Sequence, residues 1–478
     1  MTLIARLYID GQWRDASDRG RMGVLDPADE SVIGEIPVAT LDDMDEALAS
    51  AQRAFAAWRQ VSAWDRAALL KRTAELIMQR RPALARDLTR EQGKTIAESL
   101  GEIDRCVDVF NWCAEEAVRS YGRLLPPRRA GARQATLKEP IGPVAAFTPW
   151  NFPAVLSARK IAAALGAGCS IILKPSEETP AAVAGLVQCL EDAGAPAGVV
   201  NVLMGNPPDI SERLIESPVT RKVTLTGSIP VGRLLSSLAG QHLKPATMEL
   251  GGHSPVIVFQ DADVEKAAQM TAAFKFRNAG QVCLGVSRVF VHQDVYDRFL
   301  EAFLAQVRLI RTGNGFDEGV TMGPMANQRR CAAMDHLIRD ATADHGARIA
   351  LGSGVRDGDG FFVEPTVLTD VSDDAAIMTD EPFGPVVPIA SFRSFDEVIA
   401  RANSLDYGLA GYAFTGSLRT ATLTADALDV GWIGINDFSP ALSEAPLGCA
   451  KDSGFGYEGG PEGFDAYCKI KFVSQMCD

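Results

Sequence analysis

Histidine is scarce in this sequence, and the positions of the few that occur narrow the possible chemistry. The 478 residues include five histidines, at positions 242, 253, 292, 336 and 345, and no two stand at the spacing of zinc ligands. Metal-dependent hydrolysis and serine–histidine–aspartate catalysis are therefore poorly supported, and the sequence predicts no metal site.

Long apolar runs and basic runs are also missing. No segment approaches the length that crosses a bilayer, and the first residues lack the apolar stretch of a secretory signal. Asp and Glu number 61 against 47 Lys and Arg, which gives a formal net charge of -14 at pH 7. We therefore expect neither a membrane nor a nucleic acid as a partner. A protein this acidic needs a local arginine clamp to hold an acidic substrate.

The cysteines do not form a disulfide pattern. All nine are scattered, and none forms a C-x-x-C pair, so we predict reduced thiols and a cytoplasmic location. Hydrophobic residues make up 47% and charged residues 23% of the chain, which is typical of a soluble globular protein. The length predicts about three domains or subdomains.

Hydrophobic patterning divides the chain into distinct regions. Residues 7–13 predict a β-hairpin, and residues 40–121 a helical region whose first helix is capped by Thr40. From about residue 137 to 427, apolar strands alternate with helices, which predicts parallel sheets with crossover helices. The segment CKIKFVS near the end is strand-like. It either completes a sheet of its own chain or forms an edge for an oligomer.

Cys283 and Glu249 give the strongest chemical indication. Cys283 follows a polar, turn-like segment, which favours a nucleophile over a buried structural thiol. Glu249 ends an extended run and precedes two glycines that give the carboxylate freedom to move. Taken alone, Glu249 reads as a surface glutamate. Together the two residues predict a thioester formed on the thiol and hydrolysed by water that the carboxylate activates.

Asn151 lies in a turn stiffened by Pro149 and Pro153. A rigidly held amide can donate to an oxyanion, whereas an Asx turn before a helix is the alternative.

Two strand ends are candidate dinucleotide contacts. The segment Gly227–Gly232 joins a strand to a helix and can approach a diphosphate, although it departs from the G-x-G-x-x-G pattern. Lys174 and Glu177 follow another strand and can bracket a ribose. Glu177 would repel a 2′-phosphate, which favours NAD over NADP. The alternative for this segment is a solvated helix start.

Arg159 and Arg277 flank these segments in the sequence. If both reach the cleft, they form a fork for a carboxylate, and otherwise they are unrelated surface arginines.

These segments, in this order along essentially the whole chain, resemble the aldehyde dehydrogenase superfamily. The resemblance rests on TPWNFP (148–153), LKPSEETP (173–180), LTGSIPVG (225–232), MELGG (248–252), FRNAGQVC (276–283), EPFGPV (381–386) and SGFGYEGG (453–460). Within the superfamily, the chain is most similar to succinate-semialdehyde and 2-oxoglutarate-semialdehyde (2,5-dioxopentanoate) dehydrogenases.

The resemblance implies an α/β fold with a Rossmann-like cofactor domain, an α/β catalytic domain and a small β element for oligomerisation, in a homodimer or homotetramer. The implied division is 1–121, 142–249 and 432–459 for the cofactor domain, 250–431 for the catalytic domain, and 122–141 and 460–478 for the bridging element.

The resemblance also implies a role for each matching residue. The implied catalytic residues are Cys283 (thiol), Glu249 (base), Asn151 (oxyanion amide) and Lys160 (positioning or proton relay). The implied cofactor contacts are Trp150, Lys174, Ser176, Glu177, Thr226, Gly227, Ser228, Glu381 and Phe383. Arg159 and Arg277 match the carboxylate-binding arginines of the semialdehyde enzymes.

The predicted activity is NAD(P)-dependent oxidation of a carboxylate-bearing semialdehyde, with succinic semialdehyde favoured. The alternatives are 2-oxoglutarate semialdehyde as substrate, a broad-specificity dehydrogenase, a CoA-acylating enzyme and a non-catalytic relative. The chain departs from its relatives at residues 441–449, where their late Pro-Phe-Gly-Gly motif reads Pro446-Leu447-Gly448-Cys449. Ser443 lies near a substrate-binding serine of the relatives, but the register does not carry that role over.

Overall fold

Two large and mostly parallel sheets organise residues 3–438 and 441–476, which this computed structural model describes. The first sheet has eight strands, in the spatial order Gly454–Phe455, Ala246–Glu249, Lys222–Thr226, Val144–Phe147, Ile171–Lys174, Val200–Val202, Leu7–Ile9 and Gln12–Arg14. The second has seven strands, in the order Arg348–Leu351, Thr366–Thr369, Val386–Phe392, Val286–His292, Ser254–Val258, Ala410–Phe414 and Trp432–Ile435.

The direction of the strands agrees with the alternation of strands and helices in the sequence. Five neighbouring strands of the eight-stranded sheet are parallel, and antiparallel strands flank them on both sides. The predicted hairpin is confirmed as the pair Leu7–Ile9 and Gln12–Arg14. Central strands such as Val144–Phe147 are buried at every residue, which explains their continuous apolar sequence.

Helices connect these strands and pack against them. Their bounds are Leu41–Trp58, Ala63–Gln92, Ile96–Arg119, Pro153–Ala167, Pro180–Asp192, Pro207–Glu216, Ile229–Gln241, Val264–Lys275, Tyr296–Val307, Gln328–Arg339, Ala376–Thr379, Phe395–Ala402, Leu418–Ala427 and Gly460–Asp465. Short 3₁₀ turns cover Arg277–Gly280 and Gln293–Val295, and a π turn covers Asp340–Asp344. The predicted cap at Thr40 is confirmed, because its side chain accepts from the backbone N–H of Asp43. Across the described ranges, no helix has both the length and the apolar character that a bilayer crossing requires.

Four smaller sheets complete the fold. They contain Leu3–Ile4, Val32–Pro37 and Arg21–Leu25; Tyr407–Gly408 and Ala450–Lys451; Leu447–Gly448 and Tyr457–Glu458; and Cys468–Met476, Ala132–Pro140 and Arg123–Leu125. The strand Cys468–Met476 pairs along its length with Ala132–Pro140 and is the outer strand of its sheet. It therefore completes a sheet of its own chain and also leaves one edge open.

One predicted domain boundary needs correction. The resemblance implies that 432–459 belongs to the cofactor domain, but Trp432–Ile435 pairs in parallel with Ala410–Phe414 in the seven-stranded sheet. Farther along, Gly454–Phe455 does join the eight-stranded sheet, beside Ala246–Glu249. The apolar strand could not be assigned from its sequence, because either sheet could accept it.

Parallel pairing brings several chemically distinctive segments to one edge. Phe147 lies beside both Lys174 and Leu225, and Thr226 lies beside Glu249. Since the carboxyl ends of parallel strands share one side of a sheet, the residues that follow these strands gather there.

Candidate active site

A cleft at this edge brings together many of the predicted site residues. Its volume is about 740 Å³, including the part open to solvent, and it lies between the ends of the two large sheets. Its lining comprises Pro149, Trp150, Asn151, Thr226, Gly227, Ser228, Leu250, Gly251, Cys283, Arg330, Glu381 and Phe383. The predicted nucleophile, oxyanion amide and nicotinamide-side contacts therefore share one cleft.

Cys283 is presented by a tightly turned segment. Asn278, Ala279 and Gly280 have φ values of 50°, 51° and 72°, in the left-handed region that favours glycine. A Cβ at Gly280 would lie 2.2 Å from the carbonyl oxygen of Gly384, so only glycine fits there. Cys283 itself is half-buried in the cleft wall.

The surroundings of Cys283 keep its thiol protonated in the free protein. Burial and, to a smaller extent, the nearby carboxylates of Glu381 and Glu249 together raise the pKa of Cys283 to about 12. A neighbouring base or an added positive charge is therefore needed to produce the thiolate.

Asn151 is fixed beside the thiol. Its side-chain amide donates to the carbonyl oxygen of Gln281 at 3.1 Å, which uses one of its two N–H groups. The backbone carbonyl oxygen of Asn151 accepts from Asn278 Nδ2 at 3.0 Å and from Lys94 Nζ at 2.7 Å. An amide held in this way is suited to donating its second N–H to an oxyanion.

A buried ion pair holds the turn that contains Asn151. Lys94 Nζ lies 2.6 Å from Glu102 Oε2, and both side chains have 0% exposure. Glu102 Oε1 accepts from the backbone N–H groups of Ala154 and Val155, at the start of helix Pro153–Ala167. The pair thus ties the helix start and the Asn151 carbonyl to one point.

Glu249 lies at the end of its strand and is 3% exposed. Burial raises its pKa to about 8, with Glu458 as the next cause, while a hydrogen bond from Cys449 and the charges of Lys160 and Arg159 act in the opposite direction. Cys449 Sγ lies 3.0 Å from Glu249 Oε2, and Oε1 has no hydrogen-bond partner among the described residues.

Lys160 lies behind Glu249 and is fully buried. Its ammonium group forms an ion pair with Glu458 and donates to Thr224 Oγ1 at 3.1 Å. Its charge still reaches Glu249, so it acts on the carboxylate without a direct hydrogen bond.

Glu381 and Phe383 line the cleft opposite the eight-stranded sheet. Glu381 Oε1 accepts from the backbone N–H of Gly252 at 3.0 Å, and burial raises its pKa to about 7. Phe383 meets Trp150 edge to face, with 5.5 Å between ring centroids, and the Arg330 guanidinium lies 5.7 Å from the Phe383 ring centre. These side chains form an apolar wall with one acidic group, which suits the nicotinamide ribose end of a dinucleotide.

The predicted diphosphate segment has free donors. Helix Ile229–Gln241 begins directly after Ser228, and no side chain caps its first N–H groups. In the described chain, Thr226 Oγ1 is buried without a partner at the cleft. Unpaired backbone and hydroxyl groups at this position fit an anionic, oxygen-rich ligand.

Lys174, Ser176 and Glu177 lie beyond the diphosphate segment on the same sheet edge. Lys174 Nζ pairs with Glu177 Oε2 at 2.7 Å. Ser176 Oγ instead donates to Glu178 Oε2 at 3.1 Å, so its role as a cofactor contact remains a prediction. None of the three lines the cleft that contains Cys283.

The arginine prediction needs correction, because Arg159 and Arg277 do not form a fork in the cleft. Arg159 Nη2 donates to the Ala441 carbonyl oxygen at 2.7 Å, while its Nη1 has no partner among the described residues. The Arg277 guanidinium lies 5.2 Å from the centre of the Phe152 ring and lines a separate pocket. Their separation depends on packing that a single sequence does not reveal.

Arg105 links the two arginines electrostatically and was not predicted. Burial and, to a smaller extent, the charge of Arg105 lower the pKa of Arg277 to about 10. Burial also lowers the pKa of Arg105, and the charge of Arg159 contributes to that decrease. Arg105 lies within helix Ile96–Arg119, and no sequence motif marked it. The three arginines therefore act on one another through their charges, with the carboxylates of Glu98 and Glu102 nearby.

Comparison with known proteins gives a consistent result. Residues 13–473 match the model of the aldehyde dehydrogenase family. The chain is 47% identical to the 4-(hydroxymethyl)benzenesulfonate dehydrogenase TsaD1 of Comamonas testosteroni over 98% of this chain and 97% of that protein. It is 40% identical to the 3-sulfolactaldehyde dehydrogenase of Pseudomonas putida (98% and 96% covered) and 39% identical to the NADP⁺ succinate-semialdehyde dehydrogenase GabD of Escherichia coli K12 (97% and 96%).

Solved structures agree with the sequence comparison. The succinate-semialdehyde dehydrogenase of Burkholderia pseudomallei superposes with a TM-score of 0.96 at 40% identity, covering 99% of this chain and 98% of that one. The predicted fold class is therefore confirmed.

Proposed function

Because the chain belongs to the aldehyde dehydrogenase family, we propose that it oxidises an aldehyde with a distal anionic group to the corresponding acid, through a thioester on Cys283. The main support is the shared cleft, in which Cys283 and Asn151 face the segment Thr226–Ser228 and Glu381. Family membership confirms the predicted enzyme class and a nicotinamide dinucleotide, NAD or NADP, as cofactor.

The residues present fit a dinucleotide. The uncapped helix start after Ser228 and the unpartnered Thr226 hydroxyl suit the diphosphate, and the Lys174–Glu177 pair suits the adenosine ribose. Glu381 is placed to accept from the nicotinamide ribose. When bound, the cofactor accepts the hydride that leaves the substrate carbon.

Cys283 and Asn151 act first. The Cys283 sulfur bonds to the aldehyde carbon as the thiol loses its proton, and the carbonyl oxygen takes up negative charge. Asn151 Nδ2 and the backbone N–H of Cys283 donate to that oxygen. Because burial holds the pKa of the thiol near 12, its proton must pass to a base as the sulfur–carbon bond forms. Cys283 is only half-buried, so water at the cleft accepts that proton and Glu249 is left free for the second step.

Glu249 acts in the second step. It takes a proton from water while the water oxygen bonds to the acyl carbon, and the carbon–sulfur bond then breaks to release the acid. The charge of Lys160 lowers the pKa of Glu249 and so favours the base, whereas the charge of Glu458 raises that pKa.

The three arginines carry the substrate proposal. The chain has a formal net charge of -14, so three arginines close enough to act on one another through their charges need a reason, and an anionic substrate provides one. Succinic semialdehyde remains the favoured carboxylate. A sulfonate-bearing aldehyde is the second candidate, because relatives at 47% and 40% identity are named for sulfonates. A sulfonate has three acceptor oxygens, so the additional Arg105 suits it.

A matched substrate panel tests the proposal. Formation of NADH from NAD, and then of NADPH from NADP, is measured for two substrate pairs. The pairs are succinic semialdehyde with butanal, and 4-formylbenzenesulfonate with benzaldehyde. We expect kcat/KM to favour the charged member of at least one pair by about tenfold or more, the worth of one charge-assisted hydrogen bond. Equal values within both pairs would refute the anionic substrate.

Arginine variants test which side chains recognise the anionic group of the substrate. We expect Arg105→Met, Arg159→Met and Arg277→Met each to lower kcat/KM for the preferred anionic aldehyde by roughly 10–100-fold, and for its uncharged partner by about twofold or less. Arg419→Met, on the exposed face of helix Leu418–Ala427, is the control. If the arginine variants reduce both members of a pair equally, the residues serve the fold and not the substrate.

The open edge of the strand Cys468–Met476 supports a homodimer or homotetramer. It exposes apolar side chains, with Ile470 69% and Phe472 56% exposed. We move the domain boundary so that Trp432–Ile435 belongs with the seven-stranded sheet, and with this change we propose the three-part division. We also propose a cytoplasmic location.

A further inference from the structure

Cys449 places a second thiol against the proposed base. We propose that Cys449 is a positioning residue, which donates its S–H to Glu249 Oε2 and so leaves Oε1 to receive the proton from water. This inference rests on the proposed function, because it concerns the step that hydrolyses the thioester.

The backbone fixes the position of this thiol. Cys449 lies between the short strands Leu447–Gly448 and Ala450–Lys451, which pair with Tyr457–Glu458 and Tyr407–Gly408 respectively. With a paired strand on each side, the residue has little freedom to shift. The Sγ–Oε2 distance of 3.0 Å is short for a thiol donor, whose larger sulfur allows longer contacts.

The two carboxylate oxygens of Glu249 differ in their surroundings. Oε2 accepts from Cys449, whereas Oε1 is buried and has no partner within the described chain. A buried carboxylate oxygen without a donor is costly unless a ligand or water supplies one. The arrangement therefore marks Oε1 as the oxygen whose hydrogen-bonding capacity is left for the hydrolytic water.

The charged groups around Glu249 do not replace the thiol. Glu458, Lys160 and Arg159 all act on it through their charges. However, Lys160 directs its hydrogen bonds to Glu458 and Thr224, and Arg159 donates to Ala441.

Cys449 can serve as a donor because its thiol stays protonated. Burial raises the pKa of Cys449, and the adjacent Glu249 raises it further, with a smaller contribution from Cys283. In return, the hydrogen bond from Cys449 lowers the pKa of Glu249, against the effect of burial. The thiol thus favours the ionised form that a base needs. The glycine of the Pro-Phe-Gly-Gly motif could not do this, because it has no side-chain donor.

An ester assay tests the inference without depending on the aldehyde. With p-nitrophenyl acetate, the Cys283 thiolate bonds to the ester carbon and p-nitrophenolate leaves. Water then hydrolyses the acetyl thioester. Rapid mixing separates the two steps, because the burst of p-nitrophenolate reports acylation and the later linear phase reports hydrolysis.

We expect Cys449→Ala and Cys449→Gly to slow the linear phase by roughly three- to tenfold, the worth of one hydrogen bond, with an unchanged burst. Loss of the donor raises the pKa of Glu249, so the acidic limb of the hydrolysis rate should move to higher pH. Cys449→Ser keeps a donor and should restore both the rate and the limb.

Three results would overturn the inference: an alanine variant with the wild-type rate and pH profile, a serine variant that behaves like alanine, or equal slowing of both phases. If the wild-type protein gives no burst with this ester and no NADH with any aldehyde, the proposed function itself fails. A normal wild-type burst with unchanged variants removes only the role of Cys449.

Discussion

Burial sets the proton affinities of the residues that carry the proposed chemistry. The pKa of Cys283 is raised to about 12 and that of Glu249 to about 8, in each case mainly by burial. Both groups are thus held in the protonated form more strongly than in water. A neutral thiol is also less open to oxidation, which protects the nucleophile when no substrate is bound.

The role of Glu249 gives a prediction about separate steps. In Glu249→Gln the base is lost, so we expect thioester hydrolysis to fall by about 10²–10⁴-fold while aldehyde-dependent NADH still forms in a burst. Stopped-flow absorbance measures both phases. Cys283→Ser should remove the burst as well, and Cys468→Ala, a half-buried thiol in the tail, should leave both phases intact. A Glu249→Gln variant with normal steady turnover would contradict the assignment.

The raised pKa of Glu249 also fixes a pH dependence. Only the carboxylate accepts a proton from water, so the hydrolysis rate should be low below pH 7 and rise through the folded-state pKa of about 8. The rate of the linear phase that follows the burst, measured from pH 6 to pH 9, checks this. A rate that has already levelled off at pH 6 would show that the carboxylate titrates near its ordinary value.

At the scale of elements, the parallel strands explain why distant motifs meet. Strands Val144–Phe147, Ile171–Lys174, Lys222–Thr226 and Ala246–Glu249 all end on one edge. The sequence predicted this gathering because each signal is local: an apolar strand, a turn and a helix start. The division of Arg159 and Arg277 between separate pockets was missed, because it depends on tertiary packing. The contact between Cys449 and Glu249 joins residues 200 positions apart, so no local pattern could indicate it.

The strand end at Lys174 predicts cofactor preference. Glu177 is 27% exposed and paired with Lys174, so its charge would repel a 2′-phosphate. We expect Glu177→Ala to raise the ratio of kcat/KM for NADP to that for NAD by roughly 5–10-fold, from about 1 kcal/mol of repulsion removed. Glu212→Gln, an exposed acid on helix Pro207–Glu216, is the matched control. An unchanged ratio in Glu177→Ala would place the adenosine ribose elsewhere.

For the whole molecule, the strand Cys468–Met476 supplies an exposed edge with apolar side chains. If it forms the subunit contact, Phe472→Asp should lower the mass measured by light scattering while circular dichroism stays unchanged, because a charge at a desolvated contact is costly. Leu418→Asp, at a site 84% exposed, controls for added charge. An unaltered mass for Phe472→Asp would direct the search for the interface to another surface.

The buried Lys94–Glu102 pair has a consequence for anyone who wants to evolve new specificities from this scaffold. It lies outside the cleft lining, yet it anchors both the Asn151 carbonyl and the helix that follows. Removing one partner of such a pair typically costs about 3–5 kcal/mol. Random mutagenesis will therefore produce inactive clones at these two positions that resemble active-site lesions. Libraries are better confined to the positions of Arg105, Arg159 and Arg277, where changes alter substrate recognition and leave the Asn151 turn intact.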